Sequence, residues 1–220
     1  MSRTAKKKEP QRKTIFAALA LPLSFILLKK YNMKRMMFLV ASAVALSGAA
    51  QAQSKESGGK ILIAYFSWGG NTREMAKQIQ QQTGGDLFEI TTVKTYSKDY
   101  NECVAEAKKE QQANARPPLA NEVKNMADYD VVFVGYPNWW GTMPQALFTF
   151  LEKYDLSGKT VVPFCTHGGG RWGRSLDDLK KLCPESKILE GLAIGGSMVR
   201  RSKDDVVKWL QKIGITKNNE

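Results

Sequence analysis

The sequence predicts an α/β class fold, a doubly wound domain built on a five-stranded parallel sheet with helices on both faces. Two observations carry this. Short, nearly continuous apolar runs recur along the chain, as strands covered on both sides require. Between them lie segments whose apolar residues repeat at helical spacing. Strict alternation of the two implies right-handed crossovers and a parallel sheet.

Residues 61–66 (ILIAYF), 131–136 (VVFVGY) and 160–165 (TVVPFC) are the continuous runs and read as central strands. Residues 86–93 (DLFEITTV) and 188–194 (ILEGLAI) are more mixed, which suits edge strands. Helical stripes follow at Tyr100, Cys103, Val104, Ala107; at Leu147, Phe150, Leu151, Tyr154; at Leu176, Leu179, Cys183; and at Val206, Leu210, Ile213. Asn71 with Glu74, Ser175 with Asp178 and Ser202 with Asp205 each place a capping side chain three residues before an acid. Gly84-Gly85 stops the first helix. Arg116-Pro117-Pro118 marks a loop.

The chain has 220 residues, enough for one domain of ordinary size, here 60–220, behind a short linker at 53–59. Residues 1–52 form a leader holding ten Lys/Arg and one acid, whereas 53–220 hold 23 Lys/Arg against 20 Asp/Glu. The basic excess therefore sits mostly in the leader. Lys6-Lys7-Lys8 beside an apolar run reads as targeting rather than as a nucleic-acid or lipid-binding patch. Lys34-Arg35, the apolar run Met36–Leu46 and Ala50-Gln51-Ala52 are the three parts of a secretory signal peptide spanning about 33–52. They predict cleavage after Ala52 and a periplasmic or cell-envelope location, with membrane contact only through an uncleaved leader. The earlier apolar stretch 15–28 contains Pro22 and falls short of the roughly 20 residues that span a bilayer. It reads as an upstream extension from a misassigned start codon, with a membrane anchor as the alternative. Cys103, Cys165 and Cys183 fall on apolar faces and read as small hydrophobes. The spacing holds no metal-ligand pattern, and a single histidine, His167, excludes a His-rich metal site.

Three loops at the carboxyl ends of strands carry the chemistry, which is where ligands bind in such sheets. The first is Ser67-Trp68-Gly69-Gly70-Asn71-Thr72, running straight into a helix. Glycines let backbone wrap an anion, the first helical amides point at it, and the helix dipole favours negative charge. No Lys follows, so this is not the triphosphate loop GxxxxGK[ST]; nor is it GxGxxG with a ribose-binding acid. A monophosphate is the remaining fit. The second loop is Pro137-Asn138-Trp139-Trp140-Gly141-Thr142, whose paired tryptophans can flank a flat ring, although one of them can equally cap the core. The third, Thr166-His167-Gly168-Gly169-Gly170, lets backbone amides approach a polar ring edge. His167 titrates near neutrality and is a candidate proton donor; a lone loop histidine is more often structural or solvated. Arg73, Arg171 and Arg174 lie in or beside these loops and predict a positive local field.

The stretch YFSWGGNT resembles the phosphate loop of the flavodoxin family, and PNWWGTMP resembles the flavin loop of a bacterial branch of flavodoxin-like proteins. The resemblance covers about residues 60–214 and implies the strand order 2-1-3-4-5 and flavin mononucleotide (FMN) as cofactor. It implies phosphate contacts from Ser67, Gly69, Gly70, Asn71 and Thr72, with Trp68 and Gly69 departing from the commoner small-hydroxyl residues of that turn. It implies ring contacts from Pro137, Asn138, Trp139 or Trp140, Gly141, Thr166, His167, Gly168, Gly169 and Gly170, with Trp172 on the other ring face and the backbone at Gly141 facing the flavin N5. The expected function is electron transfer to redox partner proteins or a small-molecule acceptor, with no catalytic side chain. An FMN-dependent NAD(P)H:acceptor oxidoreductase of the quinone-reductase kind is the alternative.

Overall fold

Apolar runs become strands where both faces are covered, and the computed structural model, which describes residues 59–216, shows how the cover is arranged. The leader expected to act as a signal peptide and nearly all of the expected linker lie outside the described residues. The elements are β1 (Ile61–Tyr65), α1 (Asn71–Thr83), β2 (Asp86–Glu89), α2 (Tyr100–Gln112), β3 (Val131–Pro137), α3 (Gln145–Lys153), β4 (Thr160–His167), α4 (Ser175–Leu182), β5 (Lys187–Ile188), β6 (Leu192–Gly195) and α5 (Lys203–Lys212). All strand pairs are parallel, in the order β2-β1-β3-β4-β5, with β6 also on β4. This is the doubly wound sheet that the alternation predicts.

Because strand side chains alternate, each central strand feeds two cores. Leu62, Ala64, Val132, Val134 and Val161 pack with Leu147, Phe150 and Leu179 of α3 and α4. Ile63, Phe133, Val162 and Phe164 pack with Met75, Ile79, Val206 and Leu210 of α1 and α5. Gly135 belongs to β3 because nothing larger fits: a Cβ there would lie 2.0 Å from the Phe164 ring.

Three expectations need correction. The run 188–194 is not one strand. Val161 turns its carbonyl toward this neighbour and accepts from Leu189 N–H at 3.0 Å, so Pro163, two residues on, faces the same way with no N–H to offer. Opposite it the chain leaves the ladder, and pairing resumes with one residue extra, from Val161↔Ile188 to Phe164↔Leu192. That is a bulge. The second strand ends at Glu89 rather than Val93; Ile90 N–H still reaches Tyr65 O at 2.7 Å, but Val93 N–H bonds Pro118 O instead. Finally, none of the three expected capping side chains makes its bond. Gly70 and Arg174 occupy the first two cap positions, Ser175 Oγ donates to Trp172 O at 2.6 Å, and Ser202 Oγ donates to Val199 O at 2.7 Å. Gly84 does end α1, at φ 75°. The three cysteines are free and buried, and burial raises the Cys103 and Cys183 thiols to about 11 and Cys165 to about 12.

Candidate functional site

The ends of β1, β3, β4 and β6 bring four loops to one edge of the sheet. Leaving β1, the chain keeps one tie to β3, Phe66 N–H to Gly135 O at 2.9 Å, then turns through Ser67–Gly70. Ser67 Oγ accepts the Arg73 N–H at 3.1 Å. Gly70 takes φ 88°, and the first helical bond runs from Glu74 N–H to its carbonyl at 2.9 Å. The backbone N–H groups of Trp68, Gly69, Gly70, Asn71 and Thr72 therefore have no acceptor among the described residues. A Cβ built on Gly69 would meet nothing within 4 Å. Five consecutive unbonded amides at a helix start, over open space, form an anion cradle. Thr72 contributes differently from Ser67: its side chain is buried, with Oγ1 2.8 Å from Thr166 Oγ1. That bond ties the start of α1 to the end of β4.

After Pro137, the last residue of β3, Asn138 to Thr142 form a tight turn. Trp139 and Thr142 exchange backbone bonds at 2.8 and 3.1 Å, and Trp140 and Gly141 between them have φ 52° and 79°, the type I′ geometry. The two indoles part company. Trp139 packs edge-on against Phe66 and Tyr96, with centroids 5.4 and 5.2 Å apart, and so caps the core. Trp140 is 45% exposed; its Nε1 donates to Val104 O at 3.1 Å, and Lys108 Nζ lies 4.8 Å from its ring centroid.

The loop after β4 is tied to this turn. Asn138 Nδ2 donates to Arg171 O at 2.6 Å, Arg174 N–H to Gly141 O at 2.8 Å, and Thr142 Oγ1 to Asp178 Oδ2 at 2.6 Å. Gly173, at φ 54°, lets the loops touch, since a Cβ there would lie 2.2 Å from Gly141 O. Gly168 and Gly169, like Gly141, would offer a Cβ nothing within 4 Å, so the two loops present bare backbone to open space. His167 Nδ1 accepts the Gly169 N–H at 3.0 Å. Burial first, and then the charge of Arg171, lower its pKa, which keeps the ring neutral and able to accept. Trp172 turns inward, edge-on to Tyr136 at 6.4 Å, rather than toward the shelf.

The expected positive field is largely spent within the protein. Arg73 is paired with Glu89 and Arg174 with Asp178 at 3.1 Å; Arg171 alone has no carboxylate partner among the described residues. No group of His, Cys, Asp and Glu among them could hold a metal, and no described helix is long and apolar enough to cross a membrane.

Two neighbouring segments were not legible as site residues. Trp68 Nε1 donates to Ser97 O at 2.8 Å and its ring tilts against Tyr100 at 6.2 Å, so the chain before α2 props the phosphate loop. The fourth loop, a 3₁₀ turn at Gly196–Arg201, comes beside Asn71: a Cβ on Gly196 would lie 2.7 Å from Asn71 Nδ2. Its signal in the sequence was Gly195-Gly196 at the end of the last strand.

Residues 60–213 match the family model for flavodoxin. A protein of Bacteroides eggerthii DSM 20697 assigned as a flavoprotein aligns at 37% identity and TM-score 0.64, over 71% of this chain and 99% of that one. One from Bacteroides uniformis ATCC 8492, assigned likewise, gives 31% and 0.63 over 70% and 99%. A flavoprotein of Lactobacillus acidophilus NCFM, in complex with FMN, shares the fold at 23% and 0.53 over 64% and 97%. No curated protein sequence matches. Family model, sequence identity and strand order agree, and the chain belongs to the flavodoxin family.

Proposed function

We propose that the protein binds FMN and carries electrons through it. The observation that supports this most is the row of five unbonded amides, Trp68 to Thr72, at the start of α1. The residues fit the cofactor. A phosphate monoester suits that cradle, with Ser67 beside it, and a flat ring suits the bare-backbone shelf of Asn138–Gly141 and Gly168–Gly170. Bound FMN supplies reversible two-electron chemistry; the protein supplies binding and electrostatics. Ser67 and the α1 amides hold negative charge, the glycines admit the ring, and Trp139 with Phe66 and Tyr96 floors the site against water.

The carrier reading is preferred to direct NAD(P)H oxidation because the polar side chains at the shelf bond the protein's own backbone: Asn138 accepts from Gly141 N–H and donates to Arg171 O, and His167 accepts from Gly169 N–H. The test is to purify the protein, record its visible spectrum, and add NADH or NADPH without oxygen. A yellow protein bleached only by a reducing partner or dithionite is expected. Rapid bleaching by nicotinamide alone would establish the reductase, and a colourless protein that takes up no FMN would end both readings. We also infer export through the 33–52 leader; periplasmic protein beginning at Gln53 is the expected result of fractionation and N-terminal sequencing.

A further inference from the structure

Where the edge strand steps around Pro163, a groove opens between that strand and α4. Pairing stops after Val161↔Ile188 and resumes at Phe164↔Leu192. Gly191, in between, admits an indole to the gap, since a Cβ there would lie 2.8 Å from Trp172 Cη2. Trp172 and Leu176 line one wall and Ile188 and Ala193 the other, all half-buried, and the exposed Arg171 and Lys180 complete the lining of a cavity of about 530 Å³. Small-molecule sites span roughly 300–1,000 Å³ and combine mainly apolar walls with a few polar groups that fix orientation.

Charge in the groove is one-sided. Neither Arg171 nor Lys180 has a carboxylate partner among the described residues. The one acid in the lining, Glu190, is paired with Lys212 of α5 at 2.6 Å. Arg171 also holds a conformation that disfavours it. Its φ is 47°, a left-handed value that costs a side chain free energy and costs glycine none. Glycine stands at 168, 169, 170 and 173, yet position 171 keeps an arginine. The fold holds this residue by its backbone, since Arg171 O accepts from Asn138 Nδ2 at 2.6 Å and from Cys165 Sγ at 3.6 Å. No hydrogen bond or ion pair engages the guanidinium among the described residues. Strain that local contacts do not explain marks positions kept for function.

We propose that this groove binds a small organic carboxylate with a flat apolar body, the carboxylate held by Arg171 and Lys180 and the body laid between the walls. A guanidinium meets a carboxylate through two parallel N–H donors. An inorganic anion would leave the apolar walls wet, and an uncharged ring would leave the guanidinium without a partner; a molecule with both parts uses both halves of the groove. The site is separate from the flavin shelf but shares its loop, because Arg171 directly follows Gly170. It does not depend on the FMN reading.

The probe is 2-naphthoate, titrated by calorimetry into the full chain as purified, with 2-naphthamide as its uncharged counterpart. Saturable binding with a Kd of about 1 mM or tighter is expected, at least about tenfold weaker for the amide. Arg171→Gln should weaken 2-naphthoate by about tenfold. Lys180→Glu, on an exposed helix position, should weaken it by about threefold or more. Arg200→Gln, which removes an exposed arginine outside the groove, should change nothing. Arg171→Gly should lose binding as Arg171→Gln does, while its melting temperature holds or rises because the strained φ becomes an ordinary one. Absence of saturable binding, equal affinity for acid and amide, insensitivity to Lys180→Glu, or an equal loss in Arg200→Gln would each overturn the proposal. So would a lower melting temperature for Arg171→Gly, which would make the arginine a structural residue, or release of bound FMN by 2-naphthoate, which would place the anion on the flavin shelf.

Discussion

The Thr72–Thr166 bond allows a sharp test of how the phosphate loop is supported. The two hydroxyls lie 2.8 Å apart, both side chains are buried, and neither hydroxyl has another partner among the described residues. Thr72→Val keeps the shape and strands the Thr166 hydroxyl in a dry environment, at a cost of about 2 kcal/mol. For a domain of this size that is a fall of roughly 4–8 °C in the melting midpoint. Thr166→Val should cost a similar amount by stranding Thr72. The double variant replaces both partners with apolar groups of matching shape and should be close to wild type. Urea unfolding of the four proteins completes a double-mutant cycle, in which single costs that simply add would refute the reasoning. FMN titration of the same set reads the second half of the argument. If the Thr72 hydroxyl stays beneath the loop, while its backbone N–H meets the phosphate, both single variants should weaken binding equally, by no more than about threefold, some 0.7 kcal/mol. A hundredfold loss confined to Thr72→Val would instead place that hydroxyl on the phosphate.

Other perturbations follow from the same geometry. Gly173→Ala puts a Cβ 2.2 Å from Gly141 O at φ 54°, so it should cost more than about 2 kcal/mol and abolish FMN uptake; Gly214→Ala, also at positive φ but with nothing within 4 Å, should cost only about 1 kcal/mol. The pKa of His167 is lowered in the fold, so its contribution is complete above the ordinary value of about 6.5 and is lost as pH falls through the lower folded value. Protonation removes the acceptor of Gly169 N–H, so FMN affinity should drop on acidification in wild type and stay flat in His167→Gln, as pH-dependent titration will read. Tyr96→Phe deletes the 2.6 Å bond to Glu110, a carboxyl whose pKa burial already raises. It should destabilise by about 1–2 kcal/mol at neutral pH, and by less near pH 4, below the ordinary Glu value of about 4.3, where a raised carboxyl favours the fold; chemical unfolding at the two pH values measures the difference.

Residue types announced the places where backbone must be bare. Gly69-Gly70, Gly141 and Gly168-Gly169 mark the shelf, and the apolar runs mark the central strands, because both signals are local. What could not be read depends on pairing across the fold. Arg73 and Arg171 look alike in sequence, yet Glu89 of β2 neutralises only the first, whereas Arg174, at the cap of α4, pairs locally with Asp178 four residues along the same helix. Trp139 and Trp140 are adjacent, and only tertiary contacts decide which one floors the site. The capping pattern at Asn71 misled because the loop places the cap at Gly70 and leaves the next amides unbonded. By contrast α2 is capped by Asp99, which accepts Glu102 N–H at 2.9 Å; an Asp three residues before a Glu was there to be seen.

Pro163 has an effect on sidedness that reaches the far end of the sheet. In an unbroken strand, odd and even positions keep the same facing throughout. Here Ile188 and Leu189 face the α4 side and the α5 side respectively, and after the extra residue the parity is inverted: Leu192 and Ile194 face the α5 side, Ala193 the other. One chain therefore supplies large residues to the deeper layer in two out-of-phase stretches. Deleting Gly191 would leave Leu189 and Leu192 two residues apart, so regular alternation would still turn Leu192 and Ile194 to the α5 side and Ala193 to the α4 side. The irregularity that obscures the strand in the sequence is therefore absorbed by the bulge, and both halves face the layers that an unbroken strand one residue shorter would face.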